Sequence, residues 1–75
     1  MPDIADFGAF RIKIYFGDHN PPHFHVIAPD FAARVTIDDL AIIDGSLPPG
    51  VLRRIHRWAA ANTDLLTAKW REYCG

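Results

Sequence analysis

The sequence predicts an α+β fold, in which a three- or four-stranded antiparallel β-meander is followed by one long C-terminal helix packed on one sheet face. In the first half of the chain, apolar and polar residues alternate at the period of a half-buried strand. In the last third, apolar residues recur every three or four positions, as on one face of a helix. The stretches between the predicted strands are short, which favours antiparallel neighbours. We expect residues 1–75 to form a single domain.

The predicted strands follow one another along the first half of the chain. The first covers about 10–16, where Phe, Ile, Ile and Phe alternate with Arg, Lys and Tyr and give one apolar and one polar face. Residues 20–22 are Asn-Pro-Pro, a stiff connector because proline restricts its own backbone and that of the preceding residue. Two further strands are predicted at about 23–28 and 32–37, and the optional fourth strand lies at 41–43.

One helix is predicted over about 49–73, beginning after Leu47 with two prolines, which the first helical turn tolerates. Such a helix would be about 33 Å long, whereas strands of six or seven residues reach only about 20–23 Å. Either the chain breaks at residues 62–64 and folds back, or one end of the helix overhangs the sheet. We expect a continuous helix, because three alanines precede Asn62 and the apolar stripe keeps its phase through it.

An overhanging helix end would have to bury its apolar side chains against another molecule. The sequence therefore predicts a small protein partner or a homodimer, with an interface formed by Leu65, Leu66, Trp70 and Tyr73.

The composition describes an ordinary globular chain. It is 49% hydrophobic and 23% charged with a net charge of −1, and it has no apolar run near the ~20 residues of a membrane helix. The N-terminus lacks the basic-then-apolar pattern of a signal peptide. A single cysteine, Cys74, excludes an internal disulfide. We expect a cytoplasmic protein with no membrane partner.

The segment from Asp18 to His25 is the most chemically informative part of the chain, since it holds three imidazoles and a carboxylate in eight residues. Strand alternation directs His23 and His25 to one face of the second predicted strand. If the helix covers the apolar face, the open face is basic and carries an aromatic ring. Its members are Arg11, Lys13, Tyr15, His23, His25 and Arg34.

This open face has the groups that metal-independent RNA cleavage requires. One histidine would accept the 2′-hydroxyl proton and the other would protonate the leaving oxygen, while Lys13 would stabilise phosphate charge. Tyr15 completes the candidate catalytic set, and RNA would be held by Arg11, Lys13 and Arg34. Alternatively, His23 and His25 only hydrogen-bond to neighbouring strands and loops.

The same histidines leave metal binding open. His-X-His on a strand can present two nitrogens to one ion, and His19 or Asp18 could complete the site. In an extended segment at about 3.1 Å per residue, however, His19 and His23 are about 12 Å apart, so sharing an ion would require the loop to fold back. We therefore predict no cofactor and keep a divalent transition metal as the alternative.

The motif His23-Phe24-His25-Val26 also carries a resemblance, together with the apolar strand at 11–16, Leu47-Pro48-Pro49, and the spaced Trp58 and Trp70. With these features the chain resembles a bacterial and archaeal family of small proteins, number four-one-six-zero in the domain-of-unknown-function series. The resemblance implies a protein encoded beside a small partner, in a toxin–antitoxin-like or regulatory gene pair. The sequence thus leaves three functions open: interaction within such a pair, a histidine-based ribonuclease, and a metal-binding module.

Overall fold

The computed structural model describes residues 3–75 and shows an α+β fold: one antiparallel sheet followed by two helices. The strands, in spatial and chain order, are β1 (Asp3–Asp6), β2 (Arg11–Lys13), β3 (His23–Ile27), β4 (Ala32–Thr36) and β5 (Ile42–Gly45). The helices are α1 (Pro49–Ala61) and α2 (Thr63–Cys74). Residues 1 and 2, which belong to the predicted domain of 1–75, lie outside the described residues.

The sheet has five strands where three or four were predicted. β1 was not expected, because Asp-Ile-Ala-Asp shows no apolar alternation; it pairs with β2, and two ion pairs, Asp6 with Arg11 and Asp3 with Lys13, join the two strands. The predicted strand at 10–16 was too long, since β2 ends at Lys13. Phe16, expected on the apolar face, is 70% exposed.

The core lies on the sheet face that the helices cover. Cross-strand partners Ile12, Val26 and Ala33 share this face, as do Phe24 and Val35. All five are buried. The helices contribute four buried side chains of their own, which are Ile55, Ala59, Leu66 and Trp70. Burying these apolar surfaces, at about 25 cal/mol per Å², is the main stabilising term for a chain of this size.

The single continuous helix was wrong, because the chain breaks at Asn62. This residue has φ −126° and ψ 26°, outside helical values, and its side-chain amide donates to the carbonyl of Trp58. Thr63 likewise donates its hydroxyl to the carbonyl of Ala59. Both side chains satisfy carbonyls that the end of α1 leaves free. The break redirects α2 so that Leu66 and Trp70 reach the common core.

Neither helix of the described chain has the length and apolar character that crossing a membrane would require.

Candidate metal site

Three side chains that could hold a metal ion meet where β3 begins. Asp18, His23 and His25 each offer one ligand atom, and these atoms all lie within 4.8 Å of one another. Oδ2 of Asp18 is 3.0 Å from Nε2 of His25 and 3.5 Å from Nε2 of His23. The two imidazole rings lie side by side, with their centroids 5.1 Å apart. One carboxylate oxygen thus faces both imidazoles.

The two histidines are positioned by a strand in the middle of the sheet. β3 pairs with β4 from His23 to Ile27 and with β2 from His25 to Ile27, so His25 is held between two strands and His23 by one. Residues 23 and 25 are two positions apart in a strand, which places their side chains on the same side. The local sequence therefore accounts for the pairing of the imidazoles.

The carboxylate comes from the segment between β2 and β3, which is tied to the C-terminal end of α2. The amide of Gly17 donates to the carbonyl of Tyr73 over 3.1 Å, and Sγ of Cys74 donates to the carbonyl of Tyr15 over 3.2 Å. The peptide bond between Asn20 and Pro21, farther along the same segment, is cis. Asp18 is thus placed by contacts with the other end of the chain.

His23 is held in one tautomer by a backbone carbonyl. Its Nδ1 lies 2.8 Å from the carbonyl oxygen of Pro21, and because a carbonyl can only accept, Nδ1 must carry the hydrogen. In the neutral ring Nε2 is then unprotonated. That nitrogen is buried and has no hydrogen-bond partner.

The burial of the cluster is uneven. The side chain of His23 is 3% exposed and packs against Trp70, whose ring centroid is 5.3 Å away. The side chains of His25 and Asp18 are 18% and 24% exposed, and Tyr15 approaches the His25 ring edge-on at 4.5 Å. The site is therefore closed around His23 and reaches solvent beside His25 and Asp18.

His19 does not join the cluster, although it was predicted, with Asp18, as a residue that could complete the metal site. It is exposed, and the carboxylate beside it in sequence takes the position near the imidazoles. His56, the remaining histidine, is exposed on α1 and hydrogen-bonds to the carbonyl of Leu40 at 2.9 Å. Both residues are thus natural comparisons for the histidines of the cluster.

The basic side chains predicted to bind RNA all have carboxylate partners. Lys13 lies 3.4 Å from Asp3, and its strand position is directly opposite His25. Arg34 lies opposite His25 on the other side and is 3.1 Å from Asp44. The third cation, Arg11, is 3.5 Å from Asp6. These pairs reduce the positive potential that an RNA backbone would meet.

The helix end predicted as a partner interface does not overhang the sheet. Leu66 is fully buried and Trp70 is 8% exposed, both within the chain's own core. Tyr73 is partly buried against the same core, and only Leu65, at 39%, is exposed. The expectation of a protruding apolar end was wrong because the break at Asn62 lets α2 pack intramolecularly.

Two parts of the site were missed from the sequence. The carbonyl of Pro21 orients His23, and a backbone carbonyl has no signal in a sequence pattern. Trp70 was predicted in a partner interface, and its contact with His23 was not expected. The apolar stripe of the helix marked Trp70 as a residue that must be buried, without indicating which residues would bury it.

A protein-family model matches residues 9–71 of the chain, and its description is Domain of unknown function (DUF4160). No curated protein matches the chain, and no solved structure does.

Proposed function

This chain belongs to the DUF4160 family, and we propose that it is a metal-binding protein that holds one divalent transition-metal ion through Asp18, His23 and His25. Two imidazole nitrogens and one carboxylate oxygen form a donor set that suits zinc and ferrous iron. Three protein ligands are also the number found at catalytic zinc sites, which keep a further position for water or substrate.

The observation that carries the proposal is the unpartnered Nε2 of His23. This nitrogen presents a lone pair, and Oδ2 of Asp18, 3.5 Å away, presents lone pairs as well. Of these two atoms only Nε2 of His23 is buried and unsatisfied, which costs about 1–3 kcal/mol. Oδ2 of Asp18 is partly exposed and also lies within hydrogen-bonding distance of Nε2 of His25, at 3.0 Å. A cation between the two atoms satisfies both.

The spacing of the ligand atoms suits such an ion. Around a tetrahedral zinc with bonds of about 2.1 Å, ligand atoms are about 3.4 Å apart. The separations from Asp18 to the two imidazole nitrogens are 3.0 Å and 3.5 Å, and all three atoms lie within 4.8 Å of one another. The two distances from Asp18 are thus close to the tetrahedral value, and the two imidazole nitrogens, within 4.8 Å of each other, would have to move closer together to share the ion.

The surroundings of His23 also match those of metal ligands. Histidines that bind metals usually donate the second ring N–H to a carbonyl or carboxylate, which fixes the tautomer and orients the ring. The bond from Nδ1 of His23 to the carbonyl of Pro21 does this. Trp70 covers the ring on one side and keeps water from it, which strengthens electrostatic interactions at the site.

The direct test is calorimetric titration of the metal-free protein with zinc, nickel and manganese, and with ferrous iron under anaerobic conditions. We expect one ion per chain, with an affinity that falls as the pH is lowered because ligating imidazoles must be unprotonated. Asp18→Asn and His25→Gln should each weaken binding at least tenfold, because each removes one of three ligands.

His19→Gln is the matched control, since this exposed imidazole is adjacent to Asp18 in sequence but outside the cluster. Its metal affinity should equal that of the wild type. The proposal is wrong if the wild type binds no ion more tightly than millimolar, or if Asp18→Asn binds as well as the wild type.

The geometry supports the ribonuclease hypothesis less well. Two imidazoles that exchange protons with RNA must both reach the substrate. His23 is only 3% exposed, and Lys13 and Arg34 are engaged with carboxylates. The role within a toxin–antitoxin-like or regulatory gene pair, the small protein partner and the cytoplasmic location stay predictions, and the protruding helix end that would have favoured a partner is absent from residues 3–75.

A further inference from the structure

We infer that the metal site takes a phosphate group as its external ligand, bound on the side of His25 and assisted by Arg34. This inference rests on the proposed metal site and adds the chemical class of the molecule that the site recognises. Four features support it: the open side of the cluster, the cavity beside His25, the charges around it, and the size of that cavity.

An external ligand can approach from one side only. Trp70 packs against His23, which is 3% exposed, so that side is closed. The side chains of His25 and Asp18 are 18% and 24% exposed. Three protein ligands leave at least one coordination position unused, and an external ligand would reach it from the solvent-exposed side, beside His25 and Asp18.

A cavity of about 200 Å³ adjoins His25 on the open sheet face. Its lining comes from β3, β4 and β5 and includes the guanidinium-bearing Arg34 and its partner Asp44. This volume is below the range of about 300–1,000 Å³ that pockets for drug-sized ligands occupy. The cavity therefore suits a small anion or one terminal group of a larger molecule.

Charge favours an anion only when the metal is present. His25 lies between Lys13 and Arg34 in the sheet, and each of these cations has one carboxylate partner. Together with Asp18, three carboxylates face two cations, so the metal-free site is net negative by one charge when the imidazoles are neutral. A divalent ion reverses this to net positive by one. We therefore expect anion binding to depend strictly on the metal.

Phosphate is the anion that these groups fit best. Guanidinium groups bind phosphate oxygens in a bidentate manner, and a divalent metal binds a third oxygen directly. The ion pair of Arg34 with Asp44 does not prevent this, because Asp44 is 64% exposed and surface pairs of this kind contribute only about 0–1 kcal/mol. A phosphate can thus displace Asp44 from Arg34 at little cost.

The test uses protein loaded with one equivalent of zinc or manganese, dialysed to remove free metal, and titrated with inorganic phosphate by calorimetry. Phosphate should bind to the metal-loaded protein and not to the metal-free protein, and acetate should bind at least tenfold more weakly. Arg34→Gln should weaken phosphate binding at least tenfold, because it removes a bidentate pair of charge-assisted hydrogen bonds, without weakening metal binding. Arg57→Gln, which changes an exposed arginine on α1, is the control and should match the wild type.

The outcomes separate the two proposals. If the ion binds but phosphate does not, or if phosphate binds equally with and without the ion, the phosphate inference is wrong and the metal site stands. Equal phosphate affinity of Arg34→Gln and wild type would also overturn it. If no ion binds, both proposals fail. The comparison of metal-free with metal-loaded protein needs no variant, so it remains decisive even if Arg34→Gln does not fold.

Discussion

The two helices make similar contributions to the core but have different relations to the rest of the molecule. α1 has 13 residues and α2 has 12, and each buries two side chains. α1 packs against the aromatic residues that follow β1, with Trp58 edge-on to Phe7 at 5.8 Å. α2 packs against His23 through Trp70, and its last turn holds Gly17 by a hydrogen bond.

With the proposed ion bound, this difference predicts that core packing and ion binding are coupled on the α2 side of the molecule only. A change in α2 alters the walls of the metal site, whereas an equally buried change in α1 alters the core alone. A bound ligand stabilises the native state by an amount that depends on its affinity. The loss of core stability and the loss of zinc affinity can therefore be measured separately, by unfolding the protein without and with zinc.

The largest change in the free energy of unfolding is expected from the pair Trp70→Ala and Ile55→Ala. Both truncate side chains of the core, and they should destabilise the fold by about 3–5 and 2–5 kcal/mol respectively. At one fixed zinc concentration, 100 times the Kd of the wild type, zinc should raise the free energy of unfolding of Ile55→Ala by about 2.7 kcal/mol, as in the wild type. In Trp70→Ala the zinc increment should be smaller, because His23 has lost its cover. Urea unfolding followed by circular dichroism, with and without zinc, measures both quantities.

The milder pair Trp70→Phe and Ile55→Val extends the same comparison to variants that keep most of their stability. Equal zinc increments in the α1 and α2 variants would show that the helices do not differ in this way.

A smaller change in stability and zinc affinity is expected from replacing one glycine near each helix with alanine. Gly17, beside α2, and Gly8, beside the Phe7 that contacts α1, both have positive φ, at 75° and 86°. Neither would have an atom within 4 Å of an added Cβ, so alanine should cost only the left-handed backbone term of about 1–2 kcal/mol. Only Gly17→Ala should also weaken zinc binding, since Gly17 precedes the ligand Asp18 and bonds to α2.

Zinc titrations of these two glycine variants provide the measurement, with urea unfolding of the metal-free proteins to confirm that their stabilities are matched. A similar loss of zinc affinity in Gly8→Ala would mean that general destabilisation, and not the tie to α2, governs the site.

The smallest expected change is in the pH dependence of stability, and it arises in the turn between β4 and β5. α1 contacts this turn through the hydrogen bond of His56 to the carbonyl of Leu40. Here the Thr36 hydroxyl donates to the Asp39 carboxylate and lowers the pKa of Asp39 below its ordinary value. A group whose pKa is lower in the folded state stabilises the fold above its unfolded pKa, and this contribution is lost as the pH falls through the folded value.

Metal-free wild-type protein should therefore lose more stability than Asp39→Asn as the pH falls from about 5 to about 2. Urea midpoints across this range give the comparison. Thr36→Ser, which keeps the hydroxyl, should retain the wild-type slope, and an Asp39→Asn slope equal to that of the wild type would contradict the assignment.

Much of the fold could be read from local patterns. The alternation at residues 23–27 predicted β3 to within one residue, and the spacing of apolar residues predicted helical structure from 49 onward. The pattern failed at β1, whose four residues have no alternation and pair at the edge of the sheet. It also failed at Asn62, where the apolar stripe keeps its phase although the helix breaks.

The candidate site could be predicted only in part, because local patterns do not show how a loop closes or which distant residues cover a side chain. The choice between Asp18 and His19 as the third ligand depends on how the loop closes, and that depends on contacts with α2. The burial of His23 likewise depends on Trp70, which is distant in sequence. Asp18 and His19 are adjacent in the loop, and the backbone path of the folded loop determines which of the two side chains lies near the imidazoles.

That His23 and His25 lie on the same side of one strand follows from the local sequence, because successive side chains of a strand point to opposite faces. That Asp18 joins them, that His23 is enclosed and that α2 packs inward depends on the folded chain as a whole. The two kinds of feature differ in how far apart in the sequence the interacting residues lie. Side-chain direction along a strand follows from local dihedral angles, whereas the loop that carries Asp18 is held by the end of α2, and His23 is covered by Trp70. Those contacts join parts of the chain that are far apart in sequence and come together through burial of the common core.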